Sequence, residues 1–256
     1  MSAIERLVHS LATGGICVVD LTQPLSADTP ALELPPQFGQ CVGFSSREVS
    51  RYDARGVAWY WNEFTMNEHT GTHFDAPVHW ITGRDLPDNA TDTIAPANLI
   101  AAAVVVDVSG AAAADPDLIV EPAHIEAWEA AHGRIPEGAW LLLRTDWSKR
   151  HGAAYTNRDA SGAHTPGPSA AAVHMMLDRG VRGLGVETIG TDAGQAHLFD
   201  PPYPAHTLLH GAGRYGLQCL TNLDQLPPTG TLLFAAPLKI VGGSGSPLRV
   251  LALIDG

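Results

Sequence analysis

The chemistry-bearing residues of this chain crowd into one short stretch, His69-Thr-Gly-Thr-His73-Phe-Asp75-Ala-Pro-Val-His79-Trp80. Three imidazoles and one carboxylate fall within eleven positions, with nothing else ionisable between them. On a helix, His69 and His73 would share a face at i and i+4. Gly71, Pro77 and the β-branched Thr70 and Thr72 argue against a helix, and no Glu follows His69 to make a zinc-protease pattern. An extended chain suits these residues better. Alternation then places His69, His73 and Asp75 on one face until Pro77 breaks the ladder. Two neutral imidazoles and a carboxylate make a common first shell for a divalent ion that keeps open positions. The plainer reading is a polar edge strand with scattered histidines, which four such groups at this spacing make hard to sustain.

With those residues in view, H-T-G-T-H-F-D-A-P-V-H resembles the H-x-G-T-H-x-D-x-P-x-H signature of the cyclase family of metal-dependent hydrolases. The resemblance implies a swivelling β/β/α fold with a mixed sheet, and a homodimer. It also implies ligands from a C-terminal segment, where family members carry a His followed twelve residues later by a Glu. Here His206 precedes Gln218 by twelve, and Gln218-Cys-Leu-Thr-Asn-Leu223 fills the matching segment. The family's Glu bridges two zinc ions in binuclear members. A neutral amide is a poor bridge and leaves the site one negative charge short. The expectation is therefore one ion per chain on His69, His73, Asp75 and Gln218. A strand amide bonded to backbone is the plain alternative for Gln218. His206 is left to act beside the metal shell or on substrate. His210 shares its helix face at i+4, with a surface role as the equal alternative.

The substitution also points to a branch of the family. Asp20-Leu-Thr-Gln-Pro-Leu25, Pro35 to Gln40, Arg144 to Arg150, Glu187 to Ala193 and Gln218 to Leu223 together resemble its isatin-hydrolysing members, nearly end to end. The resemblance implies Mn2+, with Zn2+ as the other candidate, and a small aromatic cyclic amide whose lactam is opened by metal-activated water. A zinc formamidase acting on N-formylkynurenine is the alternative, and Gln218 counts against it. Trp59, Phe64 and Trp80 supply the apolar bulk such a substrate calls for, unless they serve core or dimer contacts. His79, outside the ligand set, is the candidate general base and acid, because an imidazole titrates near the working pH. Thr221 is a candidate proton relay or substrate contact, with a plain strand threonine as the simpler reading.

The elements that must position these groups read as one α/β domain over 1–256. A helix over Ile4 to Leu11 stops at Gly14-Gly15, and Ile16 to Leu21 is a strand. Val42 to Val49 and Val57 to Met66 are strands, with Trp59 and Trp61 facing one way and Tyr60, Asn62 and Phe64 the other. Strands at Val104 to Val108, Trp140 to Thr145, Val181 to Glu187 and Gly216 to Thr221 alternate with helices that open at Pro122 and Pro168, and a short helix lies near His206 to Ala212. Leu232 to Val241 and Leu248 to Ile254 close the sheet. Ala111 to Ala114 reads as a surface loop, and 151–166 as a long polar loop.

Composition excludes several functions. A formal charge of −12 without basic clusters disfavours nucleic acid and anionic membranes as partners. The apolar run Leu99 to Val106 is too short to span a bilayer. Three scattered cysteines and a charged N-terminus without an apolar core fit the cytoplasm. Gly211-Ala-Gly213-Arg-Tyr-Gly216 matches a dinucleotide fingerprint, but it precedes a strand where the fingerprint should follow one. No G-x-S-x-G supports a serine hydrolase. A non-catalytic metal module would leave His79 and the nearby aromatics without a purpose.

Overall fold

A computed structural model describes all residues, 1–256. Nine strands form a mixed sheet in the order Ile16–Asp20, Leu251–Asp255, Thr231–Phe234, Ile100–Asp107, Trp140–Arg144, Gly183–Val186, Tyr215–Gln218, His73–Asp75, Gly245–Pro247. The four from Ile100–Asp107 to Tyr215–Gln218 run parallel, and every pairing outside them is antiparallel. The parallel strands carry long apolar runs because both their faces are covered. Val104, Val106, Leu141, Leu143, Leu184 and Val186 join one core with Ile125, Trp128, Val173 and Met176 of the helices Pro122–His132 and Ala170–Asp178. Their neighbours Val105, Trp140, Leu142 and Leu217 build the opposite core with Phe74 from the metal-motif strand. Two-residue alternation along each strand thus sorts side chains into two layers.

Most anticipated elements are present. Ala3–Thr13 is helical with a Ser2–Glu5 capping box, and Gly14 ends it in the left-handed region at φ 77°. Gly211 caps the π-helical turn Ala205–His210, and the strand follows at Tyr215, so the dinucleotide fingerprint is a helix end.

Several expectations need correction. The motif strand covers only His73–Asp75. His69 lies in a turn before it, where Gly71 takes φ 68°. Ser109–Ala114 is a short helix rather than a loop, with Ala112 on its buried side. The polar loop holds the helical turn Ala153–Thr156 and the paired strands Arg158–Asp159 and Gly162–Ala163. The strand beginning at Thr231 stops at Phe234, three residues before Pro237. Gly245–Pro247, which no periodicity announced, forms the sheet edge beside His73–Asp75, where Pro247 needs no ladder N–H on its open side.

Ser45–Asp53 and Gly56–Thr65 pair only with each other, as a hairpin outside the sheet. Its aromatics pack locally: Trp59 meets Trp61 edge-on at 6.0 Å and Phe64 stacks on Phe44 at 6.0 Å. Trp59, Trp61 and Phe64 remain exposed. No helix is long and apolar enough to cross a membrane.

Candidate metal centre and active site

The strand His73–Asp75 runs antiparallel to Tyr215–Gln218, so His73 pairs with Gln218, the carboxyl end of the last parallel strand. Crevices beyond the carboxyl ends of parallel strands are where α/β folds place ligands. Asp75 lies at the centre and is fully buried. One of its oxygens lies 2.8 Å from His69 Nδ1, and the other accepts from Gln218 Nε2 at 2.5 Å. Burial pushes the Asp75 carboxyl up, but the His73 and His69 rings beside it hold it well below the usual carboxylate range.

His73 shows most clearly that these residues suit a cation. Its Nδ1–H donates to the Gly71 carbonyl at 2.8 Å, which fixes the tautomer. The Nε2 lone pair is buried without a hydrogen-bond partner and stands 3.3 Å from Asp75 Oδ1. Two acceptors facing each other in a dry site are mutually repulsive, and a buried polar atom left unpaired costs about 1–3 kcal/mol. A divalent ion held by the two residues would remove both penalties, and a backbone carbonyl holding the far nitrogen is how ligating imidazoles are usually oriented. His69 is oriented in the same manner: Ser244 Oγ donates to Glu68 at 2.6 Å, so it accepts from His69 Nε2–H at 3.0 Å and leaves the Nδ1 lone pair toward Asp75. The residues therefore fit a metal ion.

Gly245 makes room for this arrangement. A Cβ there would lie 2.5 Å from His69 Cε1 and 2.6 Å from the Phe74 carbonyl oxygen. Gly245→Ala is expected to displace the His69 ring and weaken metal binding by roughly 10–100-fold, the scale of lost ligand support. Calorimetric titration with a divalent ion checks it, and wild-type affinity in the variant would show that the ring does not ligate.

Three further imidazoles close over the cluster. His79, in the 3-10 turn Pro77–His79, stacks on His69 with ring centroids 3.9 Å apart. Burial pushes its pKa down to about 3. His206 and His210, on the π-helical turn, lie 5.6 and 6.0 Å from His79. His210 donates from Nδ1 to the Arg214 carbonyl at 3.0 Å, its Nε2 is buried without a partner, and burial brings its pKa to about 4. His206 differs. Burial pushes it down, yet its hydrogen bond to Asp192 and that residue's charge raise its pKa overall. Trp80 lies 4.7 Å from the His206 ring and donates its indole N–H to Thr207.

Comparison with known proteins places this geometry. The "Cyclase" family model matches residues 19–193, more than half of the chain. The chain belongs to the cyclase family. It is 48% identical over 256 residues to an isatin hydrolase of Roseibium aggregatum, covering 99% of this chain and 97% of that protein. A crystal structure of an isatin hydrolase bound to the product analogue thioisatinate superposes with a TM-score of 0.98 at 47% identity, covering all of both chains. A kynurenine formamidase of Bacillus thuringiensis is 28% identical over 237 residues, 91% of this chain and 95% of that one. This cyclase-family chain is a hydrolase, with the family's α/β fold.

Of the sequence-predicted site residues, His69, His73, Asp75, His79, His206, His210, Gln218 and Trp80 converge. Gln218 is not turned as expected. Its Oε1 accepts from the Gly190 N–H at 2.7 Å, and because that N–H can only donate, the nitrogen is the atom that faces Asp75. The amide braces the carboxylate and offers its oxygen to backbone. Trp59 and Phe64 stand apart on the hairpin, because their strand pairs outside the main sheet. Thr221 donates its backbone N–H to the Leu21 carbonyl. The residues sequence reasoning missed are Asp192, Ser244, Glu68 and Thr207. Asp192 stands inside the Glu187–Ala193 segment of the family resemblance, the one signal that pointed to it.

Proposed function

We propose that this chain opens the lactam ring of isatin to isatinate with one bound Mn2+ ion. The observation that carries the reading is a donor set of two tautomer-fixed imidazoles and one buried carboxylate, found in a chain similar end to end to an isatin hydrolase. In this reading His69, His73 and Asp75 hold the ion, a two-histidine, one-carboxylate face with open positions. When bound, the ion supplies Lewis acidity to the lactam carbonyl and makes the attacking water more acidic. Gln218 supports Asp75 without adding charge, which favours a single ion.

The chain's own residues do the rest. The Trp80 face beside His206 offers apolar contact to a flat ring. Proton transfers fall to the imidazoles that border the ligand set without belonging to it, His79 and His206. His210, sealed beneath them, keeps its free nitrogen toward Asp75 and fills the floor of the site. The formamidase alternative is supported only by more distant relatives, such as the one 28% identical against 48% for the isatin hydrolase.

The direct test is isatin turnover by purified protein before and after chelation, with Mn2+ and Zn2+ added back separately. Isatin opening lost on chelation and restored best by Mn2+ is the expected result. Faster cleavage of N-formylkynurenine, or full activity in chelator, would overturn the reading. A homodimer belongs to the same proposal, with the exposed Trp59, Trp61 and Phe64 as its contact. Sedimentation equilibrium at the mass of one chain would end that part.

A further inference from the structure

Asp192 does more than close a loop. Its Oδ1 accepts from the Ala205 N–H at 2.6 Å, and its Oδ2 accepts from the His206 N–H at 3.1 Å and from His206 Nδ1 at 2.5 Å. One buried carboxylate thus caps the first turn of Ala205–His210 and grips the imidazole that the turn carries. Thr191 Oγ1 lies 3.3 Å from the same Nδ1. With Nδ1 held as a donor on that side, Nε2 is the nitrogen left for chemistry. A ring nitrogen of His206, one of His210 and an Asp75 oxygen all lie within 4.8 Å of one another. His210 is 1% exposed and its Nδ1 is committed to backbone, whereas His206 keeps 8% of its surface open beside Trp80. His79 has no such carboxylate behind it: its ring stacks on His69, itself bound to Asp75.

We propose that Asp192 is the positioning residue that fixes His206 with Nε2 toward the substrate, making His206 the group that protonates the leaving ring nitrogen. The inference rests on the isatin reading above. Nε2 takes one proton from the attacking water as its oxygen bonds to the carbonyl carbon. It returns that proton to the ring nitrogen as the carbon–nitrogen bond breaks, leaving an aryl amine and a carboxylic acid that ionises. Asp192 keeps its negative charge throughout and stabilises the imidazolium between the two transfers. A carboxylate that fixes the tautomer and orientation of a catalytic imidazole is a recurring arrangement in hydrolases.

The test compares wild type, Asp192→Asn, His206→Asn and the double variant on isatin and on its 5-methoxy and 5-nitro derivatives. The 5-position is para to the ring nitrogen, so nitro lessens the need to protonate the leaving group and methoxy increases it. Asp192→Asn and His206→Asn are each expected to lower kcat on isatin roughly 10²–10⁴-fold, with KM changed less than about threefold and metal content unchanged. The double variant should fall no further than the lower single. The loss should shrink by about tenfold or more on the nitro compound relative to the methoxy compound. Nitrogen-15 shifts of His206 should show Nδ1 protonated in wild type and that preference lost in Asp192→Asn. Equal losses across the three substrates, or losses that multiply in the double variant, would overturn the proposal. If Asp192→Asn does not fold, His206→Asn decides it alone, since undiminished ring opening without that imidazole excludes the role. A wild type with no isatin turnover at all would instead mark failure of the substrate reading, and the inference would fall with it.

Discussion

Asp75→Asn is expected to abolish metal binding and cut ring opening by about 10³-fold or more, since a metal's transition-state contribution is several kcal/mol and each 1.4 kcal/mol is tenfold. The shape of the side chain survives, but the only negative charge among the proposed ligands does not. Asp75 is fully buried, with His69 Nδ1 2.8 Å from one oxygen and the Gln218 amide donating to the other. The Asn oxygen can still accept from Gln218, but the NH2 that would then face His69 has no lone pair to offer an ion. Metal analysis of the purified variant, with circular dichroism to confirm the fold, checks the result. Full metal content in a folded Asp75→Asn protein would remove Asp75 from the ligand set and the single-ion reading with it.

Gln218→Glu should have the second largest effect, and it is visible without substrate. The Gln218 nitrogen sits 2.5 Å from Asp75. An introduced carboxylate would replace an attraction there with the repulsion of two like charges. At an effective dielectric of about 20, that repulsion is about 4 kcal/mol at 4 Å and larger at closer range. Proton uptake limits the penalty: holding a glutamic acid protonated at pH 7, against an ordinary pKa of about 4.3, costs roughly 4 kcal/mol. At about 2–4 °C per kcal/mol for a chain of this size, the metal-free variant should melt roughly 8–16 °C below wild type. Excess divalent ion should restore most of the loss, with stoichiometry rising towards two per chain, and isatin opening should slow. A metal-free variant that melts with wild type and still binds one ion would show that the amide is not what limits the site to a single metal.

What the sequence determined by itself was the identity of the reacting groups and the layering of the sheet. His69, His73, Asp75 and His79 are close along the chain, so strand alternation over a few residues was enough to bring His73 and Asp75 to one face. The parallel strands were legible for a related reason: burial on both sides demands unbroken apolar runs such as Val104-Val105-Val106 and Leu141-Leu142-Leu143. The family signature added Gln218 and His206 from far along the chain, which no periodicity could have linked to the motif.

Only the tertiary structure decided which atom of each group faces which. The Gln218 amide is oriented by the Gly190 N–H, 28 residues earlier, and hydrogen-bond polarity at that distance leaves no trace in local pattern. His206 differs from His210 because Asp192 reaches it across a loop, although both histidines share one turn and one residue type. His69 is steered by Ser244, 175 residues away, just before an edge strand short enough to escape notice. Trp59 and Phe64 read as pocket aromatics because they precede the motif, but their strand closes its ladder with Ser45–Asp53 and leaves the sheet. Residue types and spacing set which chemistry is available, because they act over a few residues. The proton and lone-pair directions that select among those possibilities are set by through-space contacts, which exist only once the chain has folded.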